Sequence, residues 1–147
     1  MARNIKLDGR AIRQLCMLLT RPDEKRNLRD AKTAQEIDNK LRNLNEPYDE
    51  RLENIARRMQ KLRATYRMDD PEFQLVAAQL QDEVNSLDAT AEDNLIEFVL
   101  EDKEYDYVEN MLRELRGVPT DRVNGPVYLR MQEAFDKAEK VQVTKVT

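Results

Sequence analysis

The chain has 147 residues, no histidine, one cysteine, and 25 Lys/Arg against 29 Asp/Glu. The missing histidine removes the commonest general base and the commonest metal ligand, and a single cysteine rules out an internal disulfide and a thiolate zinc site. With 40% apolar and 37% charged residues, the composition suits long helices with a narrow apolar stripe, in one domain, better than a multilayered fold.

Asn4 to Leu7 alternates, with Ile5 and Leu7 on one side, which predicts a short strand. Asp8 follows as a helix cap, ahead of an apolar face made by Ile12, Leu15, Cys16 and Leu19. Thr20 and Pro22 end that helix. From Asp23 to Met68 nearly every residue favours helix. Apolar or aromatic side chains recur at Ile37, Leu41, Leu44, Tyr48, Leu52, Ile55, Met59, Leu62 and Tyr66. Their steps of three and four are the rhythm of a coiled-coil-like seam. Pro47 lies inside this run. In a helix interior it would remove a donor and clash with the carbonyl four residues back, so the sequence predicts either a kink or two helices meeting at Asn45.

Asp69-Asp70-Pro71 predicts a turn and a new helix, with Phe73, Val76, Ala77, Leu80, Val84 and Leu87 facing inward. Thr90, with Asp93 three residues on, predicts the start of another helix carrying Leu95, Phe98 and Val99. Tyr105, Val108, Leu112 and Leu115 mark a further stripe, which Gly117 and Pro119 terminate. Residues 117–126 read as a loop, followed by a last short helix with Val127, Met131, Phe135 and Ala138. Val141, Val143 and Val146 predict a terminal strand, with Asn4–Leu7 as its mate. The expected architecture is one mainly α domain over residues 1–147. It is a long antiparallel helical hairpin or bundle with a coiled-coil-like seam and a small two-stranded ribbon joining the termini. No glycine occurs between positions 10 and 116, which fits helices better than a sheet with many tight turns.

Charge is sorted by position. Residues 1–67 carry 17 Lys/Arg and 10 Asp/Glu (+7), residues 68–116 carry 3 and 15 (−12), and residues 117–147 carry 5 and 4 (+1). Such segments either pack on each other, within one molecule or between copies, or face different partners. Arg57, Arg58 and Lys61, with Arg63 and Arg67 nearby, are candidate contacts to a partner or to phosphates. Aromatic interleaving is poor, because Tyr48 and Tyr66 both fall on the apolar seam. In the acidic segment Glu101, Glu104 and Tyr107 are candidate partner contacts, and the stretch from Glu92 to Glu114 can mimic DNA. A solvated charged face is the plainer reading of both stretches and outweighs these.

Enzymatic chemistry reduces to carboxylates holding Mg²⁺ or Mn²⁺. Glu50/Glu53, Glu101/Glu104 and Asp106/Glu109 are three apart, a spacing that shares one helix face. All-helical nucleoside-triphosphate pyrophosphohydrolases use two such pairs on facing helices, which here would be Glu50, Glu53, Glu101 and Glu104. In so acidic a chain these pairs arise by chance, so no catalytic residue, metal or cofactor is predicted. Cys16 reads as core packing. No apolar run approaches the ~20 residues of a membrane helix, and Met1 to Asn4 lacks a signal-peptide layout. The expectation is a soluble protein of the cytoplasm, without membrane contact.

Four features together give a resemblance in layout. They are the Ile5-Lys6-Leu7 leader, the helix with Leu15, Leu18 and Leu19, the basic run ending at Tyr66 before an Asp-rich turn, and the late segment from Leu95-Ile96 to Leu115. Over residues 4–116 the chain resembles small uncharacterised helical proteins encoded by tailed bacteriophages. It departs from them at Pro47 and in the Val-rich tail. The resemblance implies no catalytic residues and an accessory factor that binds a host or viral protein inside an infected bacterium. The seam adds the expectation of a homo-oligomer, a dimer. The alternatives are the metal-dependent pyrophosphohydrolase and a nucleic-acid-binding protein using the basic N-terminal helices.

Overall fold

The structure, a computed structural model, describes residues 2–21, 27–114 and 125–141. Among these residues there are six helices and three strands, which is the mainly α architecture, with a small sheet at the termini, that the sequence predicts. Strand β1 (Ala2–Leu7) is central. Strands β2 (Ile96–Glu101) and β3 (Glu139–Val141) flank it, both antiparallel. The termini do meet: Ala2 lies opposite Val141 and Asn4 opposite Glu139.

The third strand corrects the sequence reading, which placed Leu95, Phe98 and Val99 on a helix begun at Thr90. The preceding helix instead runs through Thr90 to Asp93, and residues 96–101 pair with β1, Ile5 opposite Phe98 and Leu7 opposite Ile96. In so short an apolar run, period two and period three-to-four fit equally well. The alternation decides it: Phe98 and Leu100 are buried while Glu97, Val99 and Glu101 are exposed.

Helix α1 (Gly9–Leu19) starts where expected, with Asp8 Oδ2 accepting from Ala11 N at 3.2 Å. Helix α2 (Leu28–Leu44) is capped by Asn27, whose side chain accepts from Asp30 N at 2.9 Å. Helix α3 (Glu46–Thr65) follows after one residue, Asn45, at φ −96°, ψ 4°. Pro47 therefore stands in the first turn of α3, where its missing donor costs nothing. Of the two predicted outcomes, two helices meeting at Asn45 is the one adopted, although the Asn45 side chain does not cap α3. Helix α4 (Pro71–Asp93) begins at Asp70, which accepts from Glu72 N at 2.9 Å. Helices α5 (Asp102–Glu114) and α6 (Gly125–Asp136) complete the chain. Pro22, the stop at Gly117 and Pro119, Leu115, residues 117–124 of the predicted loop, and Val143 and Val146 lie outside the described residues; Gly125 and Pro126, read as the end of that loop, instead open α6.

The break at Asn45 splits the predicted seam between two cores. Ile37 and Leu41 are fully buried in the principal core, which the inner face of the sheet forms with α1, α2, α5 and α6. Leu62 lies in a second, smaller core with Phe73 and Leu80, flanked by Ile55, Met59, Val76 and Ala77. This second core closes an antiparallel hairpin of α3 and α4, helices roughly 30 Å long. Leu44 and Tyr66, assigned to the seam, are exposed. No helix among the described residues is long and apolar enough to cross a membrane.

Candidate functional site

The root of the hairpin is tightly fitted to the body. Gly9, the first residue of α1, sits against Tyr48 so closely that a Cβ there would lie 2.8 Å from the Tyr48 ring and 3.0 Å from Asn45 Oδ1. The Gly9 carbonyl accepts from Asn45 Nδ2 at 3.0 Å. Polar contacts surround this joint. Arg13 pairs with Asp49 at 2.9 Å, Arg10 with Asp88 at 3.6 Å, and Tyr48 OH donates to Asp88 at 2.7 Å. Burial and the Asp88 carboxylate raise the Tyr48 phenol well above its ordinary value, so it stays a donor.

On the α6 side, Arg130 holds the buried Asp8 through two hydrogen bonds of 3.0 and 3.1 Å and reaches Glu92 at 3.7 Å. Arg130 is raised by its hydrogen bond to Asp8. Removing Arg130 would leave the buried Asp8 charge uncompensated. A groove of about 400 Å³ beside this pair is lined by Lys6, Glu133 and Lys137 among others.

Beyond the root, the hairpin carries its charge along its length. Arg57, Arg58, Lys61 and Arg63 are exposed on the distal half of α3, and Arg67 is exposed just beyond its end. Arg58 bridges to Glu83 of α4 at 2.8 Å. Nearer the root, Glu46, Glu50 and Glu53 of α3 and Asp82 of α4 are exposed. A groove of about 860 Å³ runs between the helices on this side, with Ile55 and Leu87 among apolar lining residues and Glu50, Glu53, Arg57 and Arg58 along its α3 wall.

The basic and acidic segments do meet within the molecule. Arg10–Asp88, Lys40–Glu104 at 3.0 Å and Arg58–Glu83 join residues 1–67 to residues 68–116 over long sequence separations. The acidic stretch from Glu92 to Glu114 is not one helix face, however. It is divided over the end of α4, strand β2 and α5.

The other candidate residues are placed differently from the sequence reading. Glu101 is the last residue of β2, not a helical neighbour of Glu104. Glu104 is buried; its Oε1 accepts from Glu101 N at 3.0 Å and pairs with Lys40 Nζ. Lys40 Nζ also reaches Val99 O at 3.4 Å. The two side chains thus cover polar groups on the free edge of β2, a place where an unpaired strand would otherwise invite pairing. Tyr107, read as a surface contact, is half-buried against the principal core. Glu50 and Glu53 line the hairpin groove; Glu101 and Glu104 do not. The four carboxylates are therefore not brought together as two helix-borne pairs. Among the described residues no group of three or more Cys, Asp or Glu is gathered closely enough to hold a metal ion.

Cys16 is 4% exposed in the principal core. Burial, and secondarily the Asp38 carboxylate, push its thiol up to about 12. The thiol is therefore protonated and poorly nucleophilic at neutral pH. Asp38 is itself buried and accepts from Arg42 Nε through both oxygens at 2.9 Å.

Sequence reasoning missed Gly9 and Arg130, and it read Asn45 only as the place where two helices meet, not as a contact to α1. A glycine directly after a helix cap and an asparagine two residues before a proline are the signals that could have marked the joint. No protein-family model matches the chain, and neither a curated protein nor a solved structure matches it.

Proposed function

We propose that this chain is a non-catalytic accessory factor that works by binding another protein, with the α3–α4 hairpin as the binding arm. The observation that carries the reading is the division of labour in the fold. A well-packed body holds the root of the hairpin through Gly9, Asn45 and Tyr48, while Arg57, Arg58 and Lys61 stand exposed on a helix that buries few of its side chains. A rigidly seated arm loses little conformational freedom when a partner meets it. The layout resemblance adds that the chain is encoded by a tailed bacteriophage and acts in the bacterial cytoplasm on a host or viral protein. The same reading expects a homo-oligomer, a dimer.

The test is capture of partners by the tagged full chain from bacterial lysate, compared with the triple variant Arg57→Glu, Arg58→Glu, Lys61→Glu. The expected result is a defined protein retained by the parent and lost by the variant, with identical circular dichroism. Retention of nucleic acid that weakens steeply with salt would favour the nucleic-acid alternative instead. Turnover of nucleotides with Mg²⁺ or Mn²⁺ that Glu53→Gln abolishes would overturn the non-catalytic reading.

A further inference from the structure

We infer that the hairpin pairs with the hairpin of a second copy of this chain, antiparallel, through the outer face of α3. The inference rests on the interaction reading above and names one surface and its occupant. Glu50, Glu53, Arg57 and Lys61 follow one another in steps of three, four and four, which places them on a single face of α3. All four are exposed. Among the described residues none of their side chains makes a hydrogen bond or an ion pair, although that of Arg58 beside them does.

Their order is acid, acid, base, base, and that order is self-complementary only in an antiparallel arrangement. A twofold axis crossing α3 near residue 55 sets Glu53 of one copy opposite Arg57 of the other, and Glu50 opposite Lys61. Each pair occurs twice, as a closed two-copy assembly requires. A parallel arrangement would set like charges side by side. Glu50, Glu53 and Arg57 also line the α3 wall of the groove of about 860 Å³, so the paired charges stand beside an open channel and not against another part of the fold. An acidic or a basic peptide from another protein would satisfy only one half of the face; the second copy satisfies both.

The experiment is sedimentation velocity of the full chain and of two double variants, E50K/E53K and R57E/K61E, separately and mixed. The substitutions lie on exposed positions, and circular dichroism checks that each variant folds. The parent is expected to dimerise, and to dissociate as salt rises, because exposed pairs are screened. Each double variant alone carries four like charges on this face and should self-associate at least about tenfold more weakly. Mixed, the all-basic and all-acidic faces should form a heterodimer at least as tight as the parent. The quadruple variant E50K/E53K/R57E/K61E, which restores the order in reverse, should recover dimerisation.

A parent that remains monomeric at about 1 mM, a dimer unaffected by either double variant, or a mixture that does not associate would each overturn the pairing. The two readings fail separately. A monomer that still captures its protein from lysate overturns this pairing and leaves the interaction reading standing. A charge-paired dimer that captures nothing does the reverse.

Discussion

The body and the hairpin are built from similar helical sequence and packed to different degrees. Among the described residues the body gathers 19 buried ones into one core; the hairpin closes on three, with half-buried neighbours around them. In the body each helix is covered by other helices or by the sheet, so its apolar stripe is enclosed. Beyond the root of the hairpin each helix packs on the other, so the stripe is covered on one side only. Burial scales with the number of covering elements, not with the apolar content of the stripe. The hairpin is therefore the part whose stability is most easily altered from outside, and whose surface is free for contact.

The comparison is most open to test in the core. Leu41→Ala, at a fully buried position in the body, should cost about 3–5 kcal/mol in urea unfolding. Leu62→Ala, the corresponding change in the hairpin, should cost about 2 kcal/mol, at the low end for such a truncation, because fewer neighbours line the cavity. Its effect should appear as faster amide exchange in α3 and α4 with α1 still protected. Equal costs at the two sites would break the distinction between the regions.

Gly9→Ala tests the joint between them. The added Cβ would meet the Tyr48 ring at 2.8 Å, and Tyr48 is held by Asp88, so the ring cannot move without losing a hydrogen bond. The expected cost is about 1–2 kcal/mol, read as a lowered Tm. Exchange should quicken around residues 45–49.

Alkaline pH should separate the regions by charge. The Cys16 thiol, in the body, is raised from 9.0 to about 12. The folded state therefore holds the proton that the unfolded chain releases. Its contribution is fully present below pH 9 and is lost as pH rises towards 12. Tyr48, at the root, is raised in the same sense. Denaturation midpoints followed by body and hairpin probes should fall above pH 9, in the body and the root first; loss beginning in the distal hairpin would contradict this. The smallest effect belongs to the hairpin surface. Arg58→Ala removes an ion pair whose partners are 50% and 46% exposed and should shift stability by under about 0.5 kcal/mol.

Several features were legible in the sequence because their causes are local. Asp8 and Asp70 cap helices through atoms two or three residues away. The stripe of Ile12, Leu15, Cys16 and Leu19 faces inward because helical periodicity alone puts those residues on one side. Pro47 marked a discontinuity because a proline cannot donate within a helix interior. Other features depended on what lies across space. Residues 96–101 are a strand because β1 is there to pair with them, which no property of that short run could announce. Leu44 and Tyr66 continue the same spacing as Leu41 and Leu62, yet they are exposed, because no element among the described residues covers them. Glu104 shares the acidity of its neighbours but is committed to Lys40, 64 residues earlier in the chain. The sequence by itself determined the capped helix starts at Asp8 and Asp70 and the apolar side of the helix that follows each, since both follow from bonds and angles within a few residues. The tertiary structure alone decided which apolar sides are covered and which charges are left unpaired, since both depend on partners brought together from distant parts of the chain.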